Sequence, residues 1–147
     1  MSDTFHIGGL ARATGRSVHT IRWYEAQGLI PRVERDRGGR RVYHRDHIEH
    51  LDFLERLRRS GMSVAGMRRF TDLSMAGWRT LGDRQALLGA HRAAVEAQIR
   101  ELRAALKLID AKVAFYAEWE ASRKRPPPLP TLPRQNATGR GVRRPPV

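Results

Sequence analysis

Between Val95 and Tyr116, apolar side chains return at alternating steps of four and three: Val95, Ile99, Leu102, Leu106, Ile109, Val113 and Tyr116. That period is the heptad of a coiled coil, whose narrow apolar seam is buried against a second helix. Leu88 extends the pattern upstream across one polar interruption, Arg92, and the helix it predicts runs from about Asp83 to Ala121. At about 1.5 Å per residue, such a helix projects well beyond a small domain. No second stretch of comparable length is available to fold back on it. The seam therefore calls for another copy of the chain, with Leu88, Val95, Ile99, Leu102, Leu106, Ile109, Val113 and Tyr116 as the expected dimerisation residues.

With 147 residues, the chain fits one domain, or a small domain with an appendage, too little for a large enzyme with a composite active site. Cysteine is absent, which excludes disulfides and thiolate metal sites. No apolar run approaches the roughly 20 residues that span a bilayer, and the N-terminus lacks the pattern of a signal peptide. A soluble, cytoplasmic protein is the expectation. The formal net charge of +13 suggests a polyanionic partner, but residues 123–147 carry 7 basic side chains and no acid, so more than half of the excess sits in that proline-rich tail. The tail reads as disordered.

The first half is organised by helix signals. Ile7, Leu10 and Ala11 stand at helical spacing, Gly15 suits a helix stop, and Ser17 suits the cap of a second helix. In "SVHTIRWYEAQGLIP", Val18, Ile21, Glu25 and Gly28 share one side, while His19, Trp23 and Ala26 point the opposite way and Arg22 and Tyr24 lie on the flanks. Gly28 and Pro31 end that helix. "RVERDRGGRRVY" then reads as a basic hairpin turning at Gly38 and Gly39. Helical spacing resumes through Ile48, Leu51, Leu54 and Leu57, breaks at Gly61, and restarts after Ser63 through Val64, Met67 and Phe70.

Two short helices joined by a tight turn and followed by a glycine-tipped basic hairpin form a winged helix-turn-helix, which places its second helix in the major groove of DNA and its hairpin on the backbone. On this reading His19 and Trp23 face bases and sugars, Arg22 and Tyr24 donate to phosphates, and Arg40, Arg41 and Tyr43 add backbone contacts, with core packing the alternative for Trp23 and Tyr24.

"FHIGGLARATGRSVHTIRWYEAQGLIP", followed by "RGGRRVY" and "HIEHLDFLERLRRSGMSVAGMRRF", resembles the DNA-binding domain of MerR-type transcriptional regulators in order and spacing. The resemblance implies a mainly α fold: a winged helix-turn-helix with a small β-hairpin wing, then a long helix that dimerises as an antiparallel coiled coil. It implies residues 1–74 as the DNA-binding domain, 75–122 as linker and dimerisation helix, and 123–147 as the tail. It also implies a homodimer on double-stranded DNA, at a near-palindrome inside an over-long promoter spacer, bent and untwisted so that RNA polymerase engages both promoter elements. The candidate DNA-binding set is Arg16, Ser17, His19, Thr20, Arg22, Trp23, Tyr24, Arg40, Arg41 and Tyr43. Arg40 replaces the family's wing tyrosine, Trp23 opens its usual aromatic pair, and His44 and His47 stand where a capping hydroxyl and an acid are usual. That last departure predicts a weaker cap.

His44, His47 and His50 invite a metal site, but steps of three rotate around a helix, so solvated or phosphate-facing histidines are expected and no metal or cofactor. Met75, Trp78 and Leu81 fit either an effector pocket or junction packing. An architectural, excisionase-like winged-helix protein is the alternative function, and the long seam argues against it. Nothing in the sequence supports an enzyme.

Overall fold

The computed structural model describes residues 4–129, in the order β1 (Thr4–Phe5), α1 (Ile7–Thr14), α2 (Val18–Ala26), β2 (Glu34–Arg35), β3 (Arg41–His44), α3 (Arg45–Arg59), α4 (Val64–Met75), a 3-10 turn (Trp78–Thr80) and α5 (Leu81–Ser122). Serines open two of the helices. The Ser17 hydroxyl accepts from the Thr20 N–H at 3.0 Å and the Ser63 hydroxyl from the Gly66 N–H at 3.1 Å, caps worth about 1 kcal/mol each. Glycines in the left-handed region close α1 and α2: Gly15 has φ 65° and Gly28 φ 72°. After α2 the Leu29 N–H returns to the Tyr24 carbonyl and the Gly28 N–H to that of Glu25, a Schellman ending that drives Leu29 into the core.

The expected hairpin is present and is one part of a three-stranded antiparallel sheet ordered β1-β3-β2. Glu34 faces Val42 across one edge of β3, and Phe5 faces Tyr43 across the other. The hairpin turn depends on Asp36 as much as on its glycines. Asp36 Oδ1 accepts from the Gly38 and Arg40 N–H groups at 2.9 Å each, and Gly39 supplies the positive φ of 76°. Those donors, the Arg40 N–H foremost, hold the Asp36 carboxyl below the usual carboxylate range.

Leu10, Ile21, Tyr24, Leu29, Ile30, Tyr43, Leu51, Leu54, Leu57 and Met67 form one core, so every element from α1 to α4 except β2 contributes to it. Leu88 packs on that core from α5, and nearby His91 Nε2 lies 2.7 Å from the Ser60 hydroxyl.

The histidines correct the sequence reading. His47 is buried: its Nδ1 accepts from the His44 N–H at 2.8 Å, and its Nε2 donates to the Pro31 carbonyl at 2.6 Å. An imidazole thus supplies the acceptor that an acid would supply at the third position of the helix, while the His44 side chain makes no cap bond of its own, as the weaker cap expected there requires. One turn on, His50 Nε2 meets the Leu29 carbonyl at 2.9 Å. Neither ring faces solvent or phosphate as expected. Both tie α3 to the segment between α2 and β2.

The boundary between two compact units falls between Ile99 and Arg100. In the second unit, residues 123–129 belong to the tail expected to be disordered, yet Pro126 is buried. Residues 130–147 lie outside the described residues.

Candidate nucleic-acid interface

The N-cap at Ser17 and the Schellman ending at Gly28 fix the ends of α2, and its burial on Ile21 and Tyr24 fixes its rotation. His19, Arg22 and Trp23 are left outward. Trp23 is 40% exposed, with its ring edge-on to Tyr24 at 5.3 Å between centroids. Beside it, Arg22 joins His6, Ile7, Arg35, Gly39, Arg40 and Arg41 around an open cleft of about 240 Å³. Four guanidinium groups around one concavity suit a phosphodiester backbone, since each can donate bidentate, charge-assisted hydrogen bonds.

The wing is fastened to α2. Arg41 Nε donates to Glu25 Oε1 at 2.6 Å, and the Arg41 carbonyl lies 3.1 Å from His6 Nδ1. Within the wing, Arg35 Nη1 donates to the Gly39 carbonyl at 2.6 Å, and Arg40 Nε to Asp36 Oδ2 at 3.0 Å. The Arg40 side chain stays 72% exposed and that of Arg41 43% exposed, so both present donors to solvent while anchored.

Five residues of the expected contact set have structural work in this chain. Tyr24 is buried, and its hydroxyl donates to Glu55 Oε2 at 2.8 Å. Glu55 also accepts from Arg58 and Arg59, and the Arg58 guanidinium is the main reason its carboxyl is held down to about 2. Burial, reinforced by Glu55, pushes the Tyr24 phenol up. Tyr43 is fully buried, which pushes its phenol up as well, and its hydroxyl has no hydrogen-bond partner among the described residues. The expectation that these two phenols donate to phosphates is corrected: both rings are core. Arg16 is spent on Asp52 Oδ1 at 2.8 Å and on the Leu51 and Thr14 carbonyls, bracing the α1–α2 turn on α3. The Ser17 and Thr20 hydroxyls lie 2.8 Å apart in the helix cap.

The exposed part of the expected set is therefore Ser17, whose hydroxyl is held in the helix cap, with His19, Arg22, Trp23, Arg40 and Arg41. The sequence reading missed His6 and Arg35, which line the same cleft. Arg35 stands opposite Arg41 in the hairpin register, a relation that a hairpin centred on the glycine pair could have revealed. At the junction, Trp78 and Leu81 are exposed, and Arg79 lies over the Trp78 ring at 5.7 Å.

A capped second helix with a cationic outer face, joined to a basic hairpin, defines a winged helix-turn-helix of the DNA-binding class. Comparison with known proteins agrees. The model of the MerR HTH family regulatory proteins matches residues 5–73, and that of the MerR DNA-binding region matches 48–111. The chain is 33% identical over 118 residues to an uncharacterized HTH-type transcriptional regulator of Haemophilus influenzae, covering 80% of this chain and 87% of that one. It is 35% identical over 107 residues to a ZntR homolog of the same organism, covering 72% and 79%. HiNmlR, a MerR family regulator lacking the sensor domain and solved bound to promoter DNA, superposes with TM-score 0.69 at 33% identity, over 80% of this chain and 94% of that one. The chain belongs to the MerR family of transcriptional regulators.

Proposed function

We propose that this regulator acts as a homodimer on a near-palindromic site within a promoter spacer, distorting the duplex to control access of RNA polymerase. The residues offered to DNA are His19, Arg22 and Trp23 from α2 and Arg35, Arg40 and Arg41 from the wing, with His6 at the edge of the cleft. Residues 1–74 form the DNA-binding part, 75–122 the linker and dimerisation helix, and the tail follows. The site of action is the cytoplasm. No helix among the described residues is long and apolar enough to cross a membrane.

The observation that carries this reading is the exposed seam of α5. Leu102 is 63% exposed, Ile109 56% and Val113 63%, all at heptad spacing. A stripe of that kind gains from burial against a like stripe, at roughly 1.5–3 kcal/mol for each large apolar side chain fully withdrawn from water. The second support is kinship with HiNmlR, which binds promoter DNA.

A footprint on the gene's own upstream DNA tests the proposal. Protection centred between the two promoter elements is expected, and equal affinity for a scrambled duplex at physiological salt overturns sequence-specific regulation. Arg22→Ala and Arg41→Ala are each expected to lower the salt slope of binding by about one unit. An unchanged slope removes that residue from the contacts.

A further inference from the structure

The last turns of α5 carry two apolar faces. One is the seam through Ile109, Val113 and Tyr116; the other is a row through Leu108, Ala111, Phe115 and Trp119, also at helical spacing but about 100° around the helix. The two faces meet different fates. Tyr116 on the seam is 58% exposed, whereas Phe115 on the second row is 8% exposed, the one buried residue of α5.

Phe115 is covered partly by its own helix, with Lys112 Nζ 5.4 Å over its ring and the Tyr116 and Trp119 rings edge-on at 5.5 and 5.9 Å, and partly by the chain that follows. Arg123 takes a left-handed backbone with φ 53°, and its N–H donates to the Trp119 carbonyl at 2.9 Å. The Ser122 hydroxyl accepts from the Lys124 N–H at 3.2 Å, which fixes the reversal. Arg125 then lies over the Trp119 ring at 5.5 Å, Pro126 is buried, and Pro126 to Leu129 share a groove with Ala111, Ala114, Phe115 and Glu118. The dimensions agree with a polyproline strand laid along a helix. At about 3.1 Å per extended residue against about 1.5 Å per helical one, four strap residues cover roughly the height of eight helical residues, the distance from Trp119 to Ala111. Consecutive prolines enter this pose with little conformational entropy left to lose.

We propose that Pro126–Leu129 is a strap that occupies the second apolar face of α5 in cis and thereby confines self-association to the seam. The proposal rests on the reading of the seam as the dimer surface. A helix with two open apolar faces recruits partners on both, and an uncovered Phe115 flanked by Leu108 and Trp119, 44% and 37% exposed, is a patch of that kind. With the strap in place one face remains, and assembly stops at two chains.

Sedimentation velocity of the full chain over a concentration series tests this, with helix content followed by circular dichroism. The wild type is expected to be a dimer. The double variant Pro126→Asp, Leu129→Asp is expected to grow to tetramers or larger, and adding Phe115→Gln to it is expected to restore the dimer. Trp119→Ala, which removes the ring under Arg125, is the milder second variant and should show the same growth at higher concentration. Strap variants that stay dimeric with native helix content overturn the proposal, as does a wild type already larger than a dimer. Leu102→Asp with the strap intact scores the seam separately: monomers uphold the seam whatever the strap variants do, and persistent dimers remove it.

Discussion

The same residue type meets opposite fates in the two halves of the molecule. In the first, Leu10, Leu51 and Leu54 are completely buried; along α5, Leu102 and Leu106 are more than half exposed. Both sets are placed by helical spacing, so the pattern alone does not separate them. The difference is what surrounds them. α1 to α4 and the sheet converge on one core, whereas the described residues hold no second long helix to cover the seam of α5. A core closed within one chain confers a stability independent of concentration; an open seam confers one that depends on it.

That contrast can be broken deliberately. Leu102→Asp is expected to have the largest effect: removing two leucines from a dimer, at about 2 kcal/mol each, raises the dimer Kd on the order of a thousandfold. Sedimentation measures this, and a change under tenfold would place the interface elsewhere. Leu54→Ala is expected to destabilise the first unit by about 3 kcal/mol through the cavity it leaves, at every protein concentration. If its Tm deficit disappeared on concentrating the protein, the two halves would not be energetically distinct.

Acid is the next probe. Burial holds His50 neutral and pushes its pKa below the ordinary imidazole value. The unfolded chain then takes up a proton at about pH 6.5 that the folded chain refuses. The contribution of His50 is therefore complete above that pH and is lost as pH falls toward the folded value. Thermal melts should show Tm decreasing from pH 7 to pH 5, and His50→Gln should flatten the decrease. Equal slopes in the two proteins would exonerate His50.

The smallest effects compare the two core phenols. Tyr24→Phe removes a hydrogen bond to a carboxylate, about 1.5 kcal/mol, while Tyr43→Phe removes a hydroxyl with no partner among the described residues and should fall within about 0.5 kcal/mol of neutral. Chemical denaturation ranks the pair, and a larger loss at Tyr43 would reverse their assignment.

Much of this frame is visible in the sequence because caps are local. Ser17, Ser63, Gly15 and Gly28 mark helix ends through bonds to residues at most five positions away. The winged fold and the family were likewise legible from the order of those signals. Features fixed by distant partners were not. β1 has two residues and exists only by pairing with β3, and His47 and His50 are defined by carbonyls at Pro31 and Leu29. Tyr24 misled for a geometric reason. It sits about 60° around α2 from Ile21, and only the tertiary position of Glu55 on α3 shows that the buried arc extends that far. Of the expected contact set, the outward cations were readable from composition and spacing, whereas Arg16 was claimed by Asp52 and Leu51, 36 and 35 positions away.

The tie between Glu25 and Arg41, with His6 against the Arg41 carbonyl, has a mechanical meaning. It bolts the wing and the recognition helix into one bracket, so their two grips cannot be adjusted separately. When a fixed bracket meets a flexible rod, the mismatch is taken up by the rod, and smooth bending of a short duplex costs on the order of 1–6 kcal/mol. The core shared by Ile21, Tyr24 and Tyr43 supplies most of that stiffness, and the Glu25–Arg41 pair adds only a little at its rim, as ion pairs open to solvent do.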